Sequence, residues 1–235
     1  MTAPATLVLF DIDGTILLTA GAGRRALTEA LGDLVEPNAA VGQVRFDGKT
    51  DPQIIRELLA AGGHPAADDP SLALSICERY VGILAAELRQ PRSVTTVMPG
   101  VTALLDTLEA HPAVVLGLLT GNVAQGAALK LAAAGINVAR FGVGAYGSDS
   151  HHRPDLPAIA ARRALPFFGR EPRGHEVVII GDTPADVTCG REIGARAIGV
   201  ATGAYSVAEL RAAGAHAAFD TLAETALVLE AILGD

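Results

Sequence analysis

Several short runs in this chain are apolar at nearly every position and then stop abruptly at small polar or acidic residues. LVLF at 7–10 runs into Asp-Ile-Asp-Gly-Thr, VVLGLL at 114–119 into Thr-Gly-Asn, and EVVII at 176–180 into Gly-Asp-Thr-Pro-Ala-Asp. Runs of this length, rich in β-branched residues and closed by a polar turn, read as buried strands. Shorter runs at 142–145, 196–200 and 217–219 extend the series. After the first strand the spacing changes to that of helices over 22–34, 51–61 and 69–89. Asp51-Pro52 and Asp69-Pro70 supply an N-cap followed by proline at the first helical position, and Gly62-Gly63 closes the middle helix. From Met98 onward strands and helices alternate, with helices expected at 101–109, 123–134, 157–165, 186–193 and 222–233. The pattern predicts a doubly wound α/β core over 1–15 and 95–235, interrupted by an all-helical insertion over 16–94.

With 235 residues, half of them hydrophobic and 19% charged, the chain has enough material for a large core plus a smaller insertion. No apolar stretch approaches the ~20 residues of a membrane span, and no basic region precedes the first apolar run as in a signal peptide. A soluble cytoplasmic protein is expected. A net charge of -8 without a basic block excludes a nucleic-acid surface. Cys77 and Cys189 lack metal-type spacing and read as buried free thiols. Only two of the eighteen basic residues, Lys49 and Lys130, are lysines. The pattern sets no oligomeric state.

Candidate chemistry gathers where the strands end. Alternation points Asp11 and Asp13 the same way. Two carboxylates about 4 Å apart repel by ~4 kcal/mol at an effective dielectric of about 20. A proton, a basic residue or a divalent cation must compensate. Thr120, Gly121 and Asn122 end the second strand, and Asp182 and Asp186 follow the third. In an open parallel sheet these carboxyl ends form the ligand-binding edge. An all-oxygen donor set without His or Cys suits Mg²⁺ rather than Zn²⁺. Local readings also stand: Asp182 as a helix N-cap, Asp186 as an exposed first-turn acid, Asn122 as a cap for the helix from Val123.

In this order and context, DIDGT, LLTGN and GDTPAD resemble motifs one, two and four of the haloacid dehalogenase (HAD) superfamily, on its phosphatase side. The resemblance runs from Leu7 to about Gly203, and it places a cap domain at the helical insertion. It implies that Asp11 is the nucleophile, forming an aspartyl-phosphate, and that Asp13 is the general acid and then the base. The second aspartate separates phosphatases from the carbon–halogen branch. The resemblance also implies a Mg²⁺ site made by Asp11, the backbone carbonyl of Asp13, Asp182 and Asp186. Thr120 would bond the phosphate, Gly121 would permit close backbone approach, and Asn122 would orient substrate if it does not cap.

The third motif departs from the family. Its usual lysine is replaced by Arg153, in Arg153-Pro154, which is taken as the basic residue. Lys130, inside the helix after motif two, is expected on the helix surface with little effect on turnover. In the cap, Gly48-Lys49-Thr50-Asp51 reads equally as a substrate contact through Lys49 and as a plain capped helix start. Arg24 and Arg25 are weaker candidates of the same kind, and His151 and His152 read as solvated loop residues. The resulting expectation is Mg²⁺-dependent hydrolysis of a small phosphorylated metabolite, as in phosphoglycolate phosphatase-like members. The alternatives are a phosphomutase of the β-phosphoglucomutase type and a silent phosphate-binding or regulatory protein.

Overall fold

The structure, a computed structural model, describes residues 6–35 and 44–234. The expected core start at 1–5 and part of the expected insertion, 36–43, lie outside the described residues, as does residue 235. Six parallel strands form one sheet in the order β5-β4-β1-β6-β7-β8. They are β1 (Thr6–Phe10), β4 (Val114–Thr120), β5 (Val143–Tyr146), β6 (Val177–Gly181), β7 (Arg196–Val200) and β8 (Ala217–Phe219). The chain leaves β1 for β4 on one side and later returns to β6 on the other. That reversal beside β1 is where an open α/β sheet leaves a crevice at its carboxyl edge.

Helices cover both faces, which is why the strands are apolar throughout rather than alternating. Val8, Phe10, Leu116, Leu118, Val178 and Ile180 point to one face. There they meet Leu104 and Leu108 of α4 (Val101–Ala110), Ala127 and Leu131 of α5 (Ala124–Ala133), and Val228 and Ile232 of α10 (Thr225–Leu233). Leu7, Leu9, Leu119, Val177 and Ile179 point to the other face, against Leu156 and Ala160 of α6 (Leu156–Arg163). The two buried cysteines are free and lie in different clusters, and burial pushes both thiols up to about 12.

The insertion forms its own cluster. Ala26 and Leu27 of α1 (Ala22–Leu31), Ile55 and Leu58 of α2 (Asp51–Ala61), and Ile76, Tyr80 and Leu84 of α3 (Pro70–Glu87) meet there. Val123 of the core joins the same cluster. Asp69 caps α3 directly ahead of Pro70, as expected, but Thr50, not Asp51, caps α2: Asp51 is its first helical residue and Pro52 its second, and Thr50 Oγ1 accepts from Gln53 N. Glu87 accepts from Arg25 (2.5 Å) and Arg92 (2.6 Å), fastening α1 to the end of α3; Arg92 first, then Arg25, holds its carboxyl near 2.

Several boundaries differ from the sequence pattern. The first helix ends at Leu31 and continues as a single 3-10 turn over Gly32–Leu34, because Gly32 leaves the helical region at φ 53. The helix expected at 186–193 is α8 (Pro184–Cys189) followed by a 3-10 turn over Arg191–Ile193. Several features were not anticipated, among them a one-turn helix, α7 (Leu165–Phe168), after α6. A two-residue antiparallel pair, β2 (Leu17–Leu18) with β3 (Thr96–Val97), ties the start of the insertion to its end. Helix α9 (Val207–Ala212) opens on a Ser206/Glu209 capping box. No helix among the described residues is long and apolar enough to cross a membrane.

Candidate active site

Parallel pairing brings the three strand ends to one level. Phe10 lies opposite Leu118 on one side and Ile180 on the other, and the Asp11 amide continues the ladder by donating to the Ile180 carbonyl at 2.9 Å. Asp11 therefore emerges between Thr120 and Asp182. The turn that follows requires glycine: Gly14 has φ 87, and a Cβ there would stand 2.4 Å from the Asp182 carboxylate. A Cβ on Gly203 would stand 1.8 Å from the same group. Thr15 Oγ1 donates to Asp182 Oδ1 at 3.1 Å.

Asp11, Asp182 and Asp186 each present a carboxylate oxygen to one point, all within 4.8 Å of one another, and all three residues are buried. Asp186 is no exposed first-turn acid. Its Oδ2 accepts from Thr183 N (3.0 Å) and Thr183 Oγ1 (2.6 Å) in a capping box, and Thr183, not Asp182, caps α8. Arg153, in the turn before α6, reaches in from the far side. Its guanidinium pairs with Asp186 and lies 3.1 Å from Asp11 Oδ1. One guanidinium cannot balance three buried carboxylates if all are ionised, so burial and mutual repulsion raise two of them. Burial, then the charges of Asp186 and Asp11, pushes Asp182 up to about 9. Burial likewise raises Asp11 to about 7, against the pull of Arg153. A divalent cation is what such an oxygen set fits. Arg153 Nε is buried and has no hydrogen-bond partner among the described residues.

Asp13 stands outside that carboxylate cluster, and its compensating charge is Lys130. The ammonium lies 2.8 and 2.7 Å from the two Asp13 oxygens and 2.6 Å from Asn122 Oδ1. The expectation of a helix-surface lysine is thus wrong: Lys130 is 4% exposed and shares the inward face of α5 with Ala127 and Leu131. Lysine side chains on a helix lean toward its N-terminus, which here is the strand edge. Asn122 does not cap α5. Its Nδ2 donates to Asp13 Oδ2 (2.7 Å) and Thr120 Oγ1 (2.8 Å).

The N-cap of α5 is Val123, without a side-chain cap bond, and its own amide is taken by a residue from the insertion. Asp51 Oδ2 accepts from Val123 N at 2.8 Å, and the Asp51 amide donates to the Gly121 carbonyl at 2.7 Å. Thr50 Oγ1 donates to the His151 carbonyl at 2.8 Å. Gly121 is needed for this approach, since a Cβ would fall 2.0 Å from the Lys49 carbonyl. His151 and His152 are exposed, as expected. Lys49 is paired with Glu57, and the Arg24 guanidinium sits 3.9 Å over the Phe46 ring. Arg24, Phe46, Lys49, Ile54 and Tyr80 from the insertion close a cavity of about 240 Å³ over Asp11, Asp13, Thr120, Asn122 and Arg153.

Burial raises Asp51 to about 6, only partly offset by Lys130 and the Val123 N–H. A carboxyl whose folded pKa lies above its unfolded value binds more protons when folded. Its contribution to stability is therefore greatest at low pH and is lost as pH rises from about 4 to about 6. Asp51→Asn keeps an acceptor for Val123 N and should remove that slope. Asp51→Ala should cost about 1–3 kcal/mol through the orphaned amide. Urea melts of both variants and wild type between pH 4 and 8 check this; parallel pH profiles for wild type and Asp51→Asn would contradict it.

The family model for haloacid dehalogenase-like hydrolases matches residues 8–191. No curated protein matches the chain. Among solved structures, a hydrolase from Pseudomonas syringae aligns with TM-score 0.73 at 22% identity, covering 96% of this chain and 98% of that one. A predicted phosphoglycolate phosphatase from Haemophilus somnus aligns at 0.71 and 17% identity, over 97% and 99% of the two chains. CbbY from Rhodobacter sphaeroides, solved in complex with phosphate, aligns at 0.68 and 22% identity, over 94% and 96%.

Proposed function

Because this chain belongs to the haloacid dehalogenase-like hydrolase family, we propose that it hydrolyses a small phosphomonoester through an aspartyl-phosphate on Asp11. The observation that carries this reading is the bridge made by Arg153. It joins Asp11 and Asp186 inside a buried, net-negative cluster and retains an unpartnered Nε for an anion. The ionised carboxylate is the attacking form; Arg153 favours it against the burial that raises Asp11 to about 7, and a cation on the cluster would favour it further. Asp11 attacks phosphorus, and Asp13 gives its proton to the leaving oxygen as the P–O bond breaks. Asp13 then takes a proton from the water that attacks the aspartyl-phosphate, so the proton count closes over the two half-reactions. Thr120 Oγ1 and the Gly121 amide bind phosphoryl oxygens, while the bare α-carbon of Gly121 admits the Lys49 carbonyl of the insertion beside them.

Asp11, Asp182 and Asp186, with the Asp13 backbone carbonyl, would hold Mg²⁺, which supplies charge neutralisation of the phosphoryl group. The helical insertion over 16–94 acts as a cap, hinged where β2 and β3 cross side by side. Its closure over a cavity of about 240 Å³ excludes water and limits the substrate to a small phosphorylated metabolite. Lys49 and Arg24 line the cap side and contact the alcohol portion.

Release of inorganic phosphate from a panel of phosphorylated metabolites and aryl phosphates tests the reading. Steady release with Mg²⁺ supports a phosphatase. Isomerisation of a sugar phosphate without release points to a phosphomutase, and binding without turnover to a silent phosphate-binding protein.

Arg153→Ala should lower kcat by about 10²–10³, the loss typical for one preorganised charge stabiliser. It also leaves buried carboxylates without their partner, at a cost of about 3–5 kcal/mol. Arg153→Lys should recover only part of both, since an ammonium lacks the paired donors of the guanidinium. Phosphatase assays and urea melts of the two variants check this. A near-wild-type Arg153→Ala would remove Arg153 from the motif-three role.

A further inference from the structure

We propose that Lys130 is a positioning residue for the acid–base carboxylate Asp13, and this inference rests on the phosphatase reading above. The geometry is that of a buried anchor holding a working group. The Lys130 side chain is 5% exposed, whereas the Asp13 side chain it grips is 41% exposed and borders the cavity. The ammonium spans both Asp13 oxygens, and Asn122 Nδ2 adds a third bond at Oδ2. Three bonds from one side fix the plane of the carboxylate. Asn122 Oδ1 in turn accepts from Lys130, and Thr120 Oγ1 accepts from Asn122, so the ring is anchored to the end of β4.

Arg153 does not duplicate this function. It serves Asp11 and Asp186 on the opposite side of the cluster, and among the described residues Lys130 is the one charged side chain bonded to Asp13. The two basic residues thus divide the site: one stands by the nucleophile, the other by the proton-transfer group. Lys130 also lies near enough to Asp51 to lower its pKa, so a purely structural role, balancing the charge of the insertion, is the competing account.

The two accounts part on the chemistry of the leaving group. Departure of an alkyl oxygen needs a proton from a well-placed Asp13, whereas departure of a nitrophenolate does not. The ratio kcat/KM reports only the steps up to loss of the alcohol, so its dependence on the leaving group isolates the acid role. In Lys130→Met, kcat/KM for alkyl phosphates should fall by about 10²–10⁴, the usual worth of general acid–base catalysis. For nitrophenyl phosphate it should fall less than about tenfold. That substrate should instead show a burst of nitrophenolate followed by slow turnover, because Asp13 is still required to activate water. In an Asp13→Asn background, Lys130→Met should add nothing, as expected for a residue acting through Asp13.

Lys130→Gln, which keeps a donor toward Asp13, is the second variant and should retain part of the alkyl activity. Circular dichroism melts of each variant establish that it is folded. An equal loss across all leaving groups, or additive losses in the double variant, overturns the proposal and leaves the phosphatase reading intact. A wild-type enzyme that cleaves none of the series overturns both.

Discussion

Asp11→Asn is expected to reduce turnover by about 10⁶-fold, the scale of loss when a covalent nucleophile is removed, while the fold persists. The amide is nearly isosteric and keeps an oxygen toward the Arg153 guanidinium, which lies 3.1 Å from Asp11 Oδ1 in the native site. It also removes one of three carboxylates crowded within 4.8 Å, so the cluster loses repulsion as well as an ion-pair partner. The backbone at this position is fixed by the ladder bond to Ile180, which the substitution does not touch. On the proposed mechanism, what is lost is the oxygen that attacks phosphorus. Acid-quenched digests of the wild-type enzyme should carry the phosphoryl group on the peptide containing Asp11, and those of the variant should carry none. Undiminished turnover in Asp11→Asn would eliminate the covalent mechanism, whatever else the cavity binds.

The placement of Asp11 at the sheet edge was legible in the sequence because a buried parallel strand announces itself as an unbroken apolar run. Its first polar residue is then the one at the edge, as with Leu7–Phe10 and Asp11. The same logic located Thr120 and Asp182. Lys130 was hidden for a different reason. Its helix is weakly amphipathic, and a lysine within it reads as solvated unless its neighbours are counted. Ala127 and Leu131, on the same stripe, enter the core, so a lysine at that phase interrupts an apolar face and thereby marks a buried charge. That signal was available. The position of Asn122 was not, because its side chain bonds Asp13, 109 residues away along the chain. No local pattern encodes such a contact. Helix α9 was legible through Ser206-x-x-Glu209, a capping box of the kind that marks helix starts. The β2–β3 pair, two residues on each side, is too short for any periodicity to show.

Removing divalent cations should reduce activity to background, and Mg²⁺ should restore it better than Ca²⁺. Asp11, Asp182 and Asp186 together carry more negative charge than Arg153 neutralises, and burial denies them water as a substitute. A phosphoryl group brings further negative charge to the same edge. Approach of that anion is unfavourable until a cation offsets the cluster, so chelation should raise the barrier for binding and for attack together. Ca²⁺ prefers six to eight oxygens at about 2.3–2.6 Å, while Mg²⁺ demands six at about 2.0–2.1 Å. Three carboxylates drawn to one point, two of them tied by Thr15 and Thr183, suit the smaller, stricter ion. The same site should report binding without turnover. Mg²⁺ should raise the melting temperature of the wild-type protein by mass action, and Asp182→Asn should blunt that shift by removing a ligand. Thermal melts across a Mg²⁺ titration, run beside phosphate-release assays with and without chelator, measure both. Full activity in excess chelator, with a melting temperature indifferent to Mg²⁺, would mean that Arg153 alone balances the cluster and that the site works without a metal.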